Sequence, residues 1–290
     1  MKTKAILLIA LACVLWGTSG IFVHFLSPLG YTSLNMTGVR AAVAFVCMLG
    51  YNLLFNRKAL KIGKKGLVIS FAMGISFLGT AAFYFTSMQM TSVSTAVVLM
   101  YTAPIYVTLY SALFLGEKMT KTKLLSVALV VFGCVMVSGA MGGMEFNLLG
   151  VLTGILSGIS YAAYNIFAKF SMREGNDPSS ATLYCFLSAT VVSLFIADPV
   201  GIIETTMVDP VIHIPALVAL GVVACVIPYF VYTTALCTLP AGTASSLGIL
   251  EPMSATLFSV LLFGEELGII KIIGIAVILT AVVLLGREKE

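Results

Sequence analysis

The apolar run from Ala241 to Phe263 reads AGTASSLGILEPMSATLFSVLLF and holds a single acid, Glu251, followed directly by Pro252. A charged side chain at bilayer depth costs at least ~2.5 kcal/mol on insertion scales, so it is kept where it faces a partner or a wet cavity. Proline removes a backbone donor and opens a helix locally. An acid embedded beside a helix break indicates a transport site within a membrane.

The composition agrees with a membrane location. Of the 290 residues, 60% are hydrophobic and 10% are charged. Soluble domains carry roughly 25% charged residues, so this chain cannot cover a water-facing surface and is interpreted as an integral membrane protein. The net charge of +4 does not indicate nucleic acid as a partner, because the positive side chains lie in short segments between apolar runs.

The apolar runs predict an all-α integral membrane protein with ten transmembrane helices. The first run continues too far for a signal peptide and is interpreted as an uncleaved span. The ten predicted spans cover residues 5–27, 31–55, 66–89, 93–115, 122–141, 147–170, 179–197, 213–237, 241–263 and 268–286, with a longer connection near 198–211.

The lysines and arginines predict the orientation in a cell (plasma) membrane. With the N-terminus in the cytoplasm, nearly all of them fall in inside segments, and Lys271 is the exception. The positive-inside rule therefore predicts that both termini are cytoplasmic. The connection with Asp198, Glu204 and Asp209 is then external.

The two halves of the chain, 1–141 and 147–290, match each other in sequence. Each half holds five spans, and since five is odd, the halves insert with opposite orientation. This predicts two inverted five-helix repeats with a site at their interface near the midplane. The matched residues are Ile21, Phe22 and Phe25 with Ile166, Phe167 and Phe170, Thr95-Ala96 with Thr243-Ala244, Pro104 with Pro252, Gly116-Glu117 with Gly264-Glu265, and Lys123 with Lys271.

On these motifs the chain resembles the ten-helix drug/metabolite transporters that are built from two EamA-type domains. The residues that carry the resemblance are Trp16-Gly17, Leu113 to Lys118, Leu250-Glu251-Pro252 and Leu261 to Glu266. The resemblance implies alternating access and a central cavity lined mainly by spans 1, 3, 4, 6, 8 and 9. It does not specify the solute, because the family moves amino acids, nucleotide-linked compounds, choline-like cations and others.

Glu251 is the main candidate for chemistry. It lies ~15 Å along its predicted span, near mid-bilayer. Either it binds a cationic group of the solute, a coupling proton or both, or it is a structural acid that accepts a hydrogen bond between helices. The matching position in the first half is Ala103, so the charge is not shared by the repeat.

Aromatic side chains at mid-span depth predict the rest of the site. Aromatic residues around an acid suit an ammonium group through cation–π attraction, while ordinary helix packing is the alternative. The matched prolines, Pro104 and Pro252, are interpreted as hinges. The predicted substrate-binding residues are Trp16, Tyr84, Tyr101, Tyr161, Tyr164, Asn165, Tyr232 and Glu251.

Four other positions carry expectations. Arg40 either contacts a carboxylate or phosphate of the solute, or pairs with Glu251, or caps the carbonyls of a broken helix. Lys169 is expected to snorkel to the cytoplasmic surface and His213 to lie at the membrane interface. The glycine ridge Gly150-x3-Gly154-x3-Gly158 is expected to pack closely against another helix.

The function predicted from these features is a secondary active transporter of small polar metabolites such as amino acids or organic cations, with export favoured by the resemblance and proton coupling through Glu251 as a hypothesis. The partners are a small-molecule solute and the lipid bilayer, and the chain is a monomer or a homodimer. No cofactor, no metal site and no ATP-binding loop is predicted. An integral membrane enzyme acting on a lipid head group, with acids in the 198–211 connection, and a channel are the alternatives.

Overall fold

The computed structural model describes residues 2–90, 96, 99–114, 116, 118–138, 147–248, 250–263 and 268–287. The matched acids Glu117 and Glu265 lie outside this part of the chain. Every regular element within it is helical. The helices are α1 (Lys2–Gly17), α2 (Ser19–Leu26), α3 (Ser33–Phe55), α4 (Lys64–Met90), α5 (Ala103–Phe114), α6 (Lys121–Ser138), α7 (Leu148–Arg173), α8 (Pro178–Ile196), α9 (Pro199–Val208), α10 (Pro210–Gly221), α11 (Ile227–Ala235), α12 (Ala241–Leu247), α13 (Leu250–Phe263) and α14 (Ile269–Arg287).

Side chains with oxygen acceptors define several helix starts. The Thr32 hydroxyl accepts a hydrogen bond from the Asn35 backbone, and the Asn35 side chain accepts one from Thr32 in return. Asn147 accepts a hydrogen bond from the Gly150 amide at the start of α7. These caps satisfy amide groups that have no partner within the helix.

Seven helical stretches among the described residues are long and apolar enough to cross a membrane. The three remaining predicted spans overlap α5, α6 and α14, and α5 covers the second half of the span predicted at 93–115. The ten-span count therefore stays a prediction. The seven stretches are Lys2–Leu29, Ser33–Phe55, Lys64–Ser87, Leu148–Arg173, Pro178–Ile196, Pro210–Ala235 and Ala241–Leu262.

Some of these stretches are not uniform α-helices. The first is interrupted at Thr18, between α1 and α2. The eighth predicted span holds a π-helical turn at Val222–Val226, just before Pro228, whose missing amide removes one α-helical hydrogen bond. The connection predicted near 198–211 is also different from the prediction, because it contains the helix α9.

The polar contacts collect at two opposite ends of the molecule. At one end, Lys65 pairs with Glu174 at 2.9 Å, and the Asn56 amide donates to Asp177 at 3.2 Å. The other end holds α9 and the starts of α3 and α10, where the Asn35 amide donates to the Ala197 carbonyl. The first end is the one that the lysine and arginine pattern predicts to be cytoplasmic.

Small residues allow the long helices to touch. The Ser87 hydroxyl of α4 donates to the Gly150 carbonyl of α7 at 2.7 Å. A Cβ atom on Gly154 would lie 2.5 Å from Leu99 Cδ1, and one on Gly158 would lie 2.8 Å from the Leu99 carbonyl oxygen. The predicted close packing of the glycine ridge is confirmed.

Candidate functional site

The helix break beside Glu251 lies at the centre of the site. The helix α12 ends at Leu247, Gly248 is in a turn, and α13 begins at Leu250. Glu251 is therefore in the first turn of α13, where the helix dipole stabilises a negative charge. Pro252 fits this turn because its missing amide would have no intrahelical partner there. The break predicted from the proline is confirmed.

The first helix covers this break. The Cys13 thiol is buried and lies 3.5 Å from the Leu247 carbonyl oxygen and 3.6 Å from that of Gly248, as a donor to both. A break leaves carbonyl groups without helical partners, and a thiol is a weak donor that satisfies them in part. Cys13 therefore does more than fill space between α1 and the break.

Trp16 lies one turn further along α1 and anchors an aromatic cluster. Its ring centroid is 4.9 Å from that of Tyr229 and 5.3 Å from that of Tyr232. Tyr229 also contacts the rings of Phe77, at 5.2 Å, and Tyr164, at 5.3 Å. Edge-to-face pairs of this kind hold the rings of four helices in one fixed wall.

Three of the predicted site residues hydrogen-bond within this wall. The Tyr232 hydroxyl donates to the Asn165 side-chain oxygen, and the Asn165 amide donates to the Tyr161 carbonyl at 2.7 Å. The Tyr164 hydroxyl lies 3.5 Å from the Thr233 hydroxyl. Since their polar atoms are engaged, Tyr164, Asn165 and Tyr232 are placed to shape the wall.

Other buried polar atoms have no hydrogen-bond partner among the described residues. Near the break these are Trp16 Nε1, the Tyr161 hydroxyl, Ser245 Oγ and Arg40 Nε. A Cβ atom on Gly248 would lie 3.2 Å from the Tyr161 hydroxyl, so this tyrosine points at the break. Buried polar atoms in proteins nearly always have partners, so these four atoms are exceptions that a bound polar group could satisfy.

Two opposite charges, those of Arg40 and Glu251, lie near the helix break. The Arg40 guanidinium lies over the Phe77 ring, 5.1 Å from its centroid, and interacts electrostatically with Glu251. Both side chains are described, and no direct salt bridge joins them. Arg40 therefore does not form the close pair with Glu251 that was one of its predicted roles.

Glu251 is partly exposed and has several ionisable neighbours from other helices. Cys13 of α1, Tyr84 of α4, Tyr161 of α7 and Tyr229 of α11 all lie within electrostatic range of its carboxylate. These are the groups that a proton or an ammonium at Glu251 would meet. Tyr84 is half-buried against Phe85 and belongs to this set.

One predicted site residue lies elsewhere. Tyr101 is buried in a separate cluster with Val130 of α6 and with Ile278 and Ala281 of α14. The reason is that Tyr101 is in the turn before α5, which directs its ring towards the outer helices. The structure does not bring it together with Trp16, Tyr161 and Glu251.

One expectation about a single residue is wrong, and the expected interfacial position of His213 stays a prediction. Lys169 does not snorkel to the surface, because its ammonium donates to the carbonyls of Leu236 at 2.8 Å and Leu239 at 2.7 Å and is buried with them. His213 is likewise buried, and its Nδ1 atom lies 2.8 Å from the Thr205 carbonyl oxygen. Both side chains find carbonyl partners that hydropathy cannot reveal.

Tyr229, Phe77 and Ser245 lie in this region but are not among the predicted substrate-binding residues. Tyr229 precedes Tyr232 by three residues, which places both on one helix face, and this spacing was a usable signal. Phe77 and Ser245 carry no such signal. They are recognised only because the fold places Phe77 under Arg40 and leaves the Ser245 hydroxyl buried without a partner.

The acids of the 198–211 connection do not form a reactive cluster. Asp198 accepts a hydrogen bond from the Gly201 amide and caps α9. Asp209 accepts one from the Ile212 amide and caps α10. Two of the three acids therefore serve helix starts, which removes the feature that favoured a membrane enzyme.

Comparison with known proteins agrees with this arrangement. The model of the EamA-like transporter family matches the chain twice, over residues 3–139 and 148–287. The chain belongs to the EamA-like transporter family. This EamA-like protein is accordingly a multi-pass membrane transporter.

Curated relatives of the EamA-like chain are similar over nearly their whole lengths. An "Uncharacterized transporter" of Archaeoglobus fulgidus is 29% identical over 97% of this chain and 95% of its own. A "Probable amino-acid metabolite efflux pump" of Escherichia coli is 25% identical over 97% and 94%. A "Threonine/homoserine exporter" of Salmonella typhimurium is 24% identical over 95% and 88%.

A solved structure shares the fold of the EamA-like chain. It is described as "Crystal structure of protein" and is 18% identical in sequence, with a TM-score of 0.79. The alignment covers 98% of this chain and 96% of the other. This likeness supports the fold and says nothing about the solute.

Proposed function

We propose that this protein is a secondary active transporter that moves small amine-bearing solutes, amino acids or organic cations, by alternating access. The observation that carries the proposal is the position of Glu251. It begins a broken helix opposite the aromatic wall, beside the unpartnered polar atoms of Trp16 and Tyr161. An acid at this depth next to aromatic rings provides both the charge and the cation–π surface that an ammonium group needs.

The mechanism that fits this site is an exchange of access between two inverted five-helix repeats. Helix breaks precede both matched prolines, with a turn at Tyr101–Thr102 before Pro104 and the end of α12 before Pro252. The double match to the family supports two related halves. Pro104 and Pro252 are the hinges in this scheme, since broken helices let one half of a span move against the other.

In this scheme the end of the molecule that holds Lys65, Glu174 and Asp177 is cytoplasmic, as are both termini. The closed packing of Lys169 with the carbonyls of Leu236 and Leu239 lies at the same end. The direction of transport is export in this proposal. The names of two relatives, an amino-acid metabolite efflux pump and a threonine/homoserine exporter, support both the direction and the solute class.

Glu251 also carries the proton in this proposal. Protonation of the acid and binding of an ammonium group compete for one carboxylate. Proton movement and solute movement are therefore coupled in opposite directions across the membrane. The neighbouring charge of Arg40 and the hydroxyls of Tyr84, Tyr161 and Tyr229 set the balance between the two states. A solute and a proton that cannot occupy the site together are exchanged across the membrane.

Counterflow in proteoliposomes tests the transport proposal. Vesicles loaded with an unlabelled amino acid should accumulate the labelled form transiently and with saturation, because a carrier exchanges solutes one for one. The matching hydroxy acids, which lack the amine, should fail to drive the exchange. Flux that rises linearly with concentration would support a channel instead, and equal exchange of hydroxy acids would contradict the role of the ammonium group.

A further inference from the structure

A second, separate cavity lies beside the predicted outer half of the first span. It has a volume of about 40 Å³, and its polar lining comes from Ser19, Ser33, Thr37 and Arg40, with Phe85 among the apolar lining residues. This volume holds about three waters or a single carboxylate group. The cavity is thus too small for a whole solute and large enough for one of its polar groups.

The hydrogen-bond donors that line this cavity differ in whether they already have an acceptor. The Thr37 hydroxyl already donates to the Ser33 carbonyl at 2.8 Å, so its proton is engaged. The hydroxyls of Ser19 and Ser33 make no hydrogen bond within the described residues. Arg40 contributes a guanidinium whose Nε atom is buried without a partner. The free groups are therefore one fixed cation and two hydroxyl donors, which together suit an anion.

Stacking on an aromatic ring holds the Arg40 guanidinium in one orientation. Its guanidinium lies over the Phe77 ring, which in turn contacts Tyr229 at 5.2 Å. An arginine that is fixed by stacking keeps its planar fork of donors oriented, and this fork matches the two oxygens of a carboxylate. Arg40 is half-buried, and its buried Nε atom, which has no partner among the described residues, gains a hydrogen bond when an anion binds.

The cavity adjoins the break at Glu251. Ser19 is two residues after Gly17, and Gly17 packs directly on Ser254 in the first turns of α13. Arg40 and Glu251 interact electrostatically, yet no direct salt bridge joins these two described side chains. Two opposite charges that interact without a direct salt bridge are a pair of groups that a small zwitterion can join.

We propose that the cavity of Ser19, Ser33 and Arg40 binds the carboxylate of the transported solute while Glu251 receives its ammonium group. This proposal rests on the proposed transport function and deepens it, because it selects zwitterionic α-amino acids over organic cations. The donor set also fits an inorganic anion. The electrostatic interaction of Arg40 with Glu251 favours the solute carboxylate, and the experiment separates the two sources.

The test compares each common L-amino acid with its methyl ester on purified full-length protein. Thermal-shift titration finds the amino acid that stabilises the wild type most strongly, since specific binding stabilises the folded state by mass action. We expect its methyl ester, which keeps the amine and loses the carboxylate, to bind about tenfold or more weakly, in line with the loss of a charge-assisted hydrogen bond. In Arg40→Gln this preference should fall below about twofold.

Two further variants keep the test decisive. Arg57→Gln removes an exposed arginine from the cytoplasmic end predicted for the same span and should keep the wild-type preference. Arg40→Lys keeps the charge over Phe77 but has no fork, so its preference should be intermediate. Arg40→Lys also carries the test if Arg40→Gln does not fold.

Three results would overturn the proposal. If folded Arg40→Gln or Arg40→Lys prefers the amino acid over its methyl ester as strongly as the wild type does, the carboxylate subsite is excluded. The proposed transport of amine-bearing solutes is not affected by that result. Stabilisation by sodium chloride or formate that depends on Arg40 and does not compete with the amino acid assigns the cavity to an inorganic anion. Wild-type protein that neither binds nor exchanges any amino acid or ester contradicts the proposed function itself, and the subsite falls with it.

Discussion

Gly17 of α1 and Ser254 of α13 touch so closely that a Cβ atom on Gly17 would lie 2.7 Å from the Cβ atom of Ser254. The same added atom would lie 2.9 Å from the backbone nitrogen of Ala255. Backbone cannot yield as a flexible side chain does, so this contact fixes the first helix against the broken one. The covering of Glu251 by the first span depends on a residue without a side chain.

Gly17→Ala should therefore separate α1 from α13. We expect loss of most transport and a free energy of unfolding lower by about 1–3 kcal/mol, as for overpacked sites. The matched control is Gly20→Ala, since an added Cβ atom at Gly20 meets nothing within 4 Å. Thermal unfolding in detergent and flux in vesicles measure both variants, and equal behaviour of the two would refute the contact.

Tyr161 and Tyr232 should respond in opposite ways to the loss of a hydroxyl. Tyr161→Phe removes a hydroxyl without a protein partner, so unfolding should change little while solute affinity falls. Tyr232→Phe leaves the Asn165 oxygen without its donor, so stability should fall by about 1 kcal/mol. Unfolding curves and solute titrations on both variants check this, and a reversed order would place the solute at Tyr232 instead.

Lys169→Met should destabilise the predicted cytoplasmic end. The ammonium donates to two carbonyls that close the turn after α11, and hydrogen bonds to a charged group contribute about 1.5–3 kcal/mol each. The exposed Lys58→Met serves as the control and should stay within about 0.5 kcal/mol of the wild type. Chemical unfolding in detergent measures the difference. A wild-type midpoint for Lys169→Met would show that this lysine is in fact solvated.

Asp177 should make the start of α8 sensitive to acid. Burial raises the pKa of Asp177, but hydrogen bonds from Ser179 and Asn56 outweigh it and hold the pKa below its ordinary value. A lowered folded pKa means that the stabilisation is complete above the unfolded pKa, about 3.9, and is lost as the pH falls through the folded value.

Asp177→Asn keeps an N-cap acceptor that does not titrate. The fall in unfolding temperature below about pH 4 that protonation of Asp177 causes in the wild type should therefore be absent in this variant. Asp177→Ala should cost about 0.5–2 kcal/mol at neutral pH. Unfolding temperatures measured from neutral pH down to the lowest pH at which the detergent-solubilised protein stays soluble decide the matter. If the unfolding temperature of Asp177→Asn falls at low pH as it does in the wild type, another carboxylate is responsible for that fall.

Much of the fold could be predicted from the sequence because hydropathy, prolines and charges act locally. The apolar runs mark the helices, Pro252 marks the break before α13, and Glu251 stands out as a charge in an apolar run. The break at Thr18 has no proline and gives no such signal. The ten-span count, the inverted orientation of the halves and the orientation of the termini stay predictions.

The site was harder to predict, because its side chains depend on contacts between distant segments. Lys169 was expected at the surface, and Tyr101 was expected in the site. The carbonyls that hold Lys169 belong to another helix end, and the turn at Tyr101 directs its ring towards α6 and α14. Hydropathy and spacing describe one segment at a time, so neither partner could be inferred from them.

Glu251 carries the central claim, and gradient-driven flux in proteoliposomes tests it most directly. We compare wild type, Glu251→Gln and the control Glu204→Gln, which removes an exposed acid from α9. With a pH gradient imposed across the vesicle membrane, wild type and Glu204→Gln should move the amino acid against its concentration gradient. The flux of Glu251→Gln should be lower than that of the wild type by a factor of about ten or more, as expected for removal of a charge-assisted contact. Transport by Glu251→Gln at the wild-type rate, with an unchanged response to the pH gradient, would contradict the account.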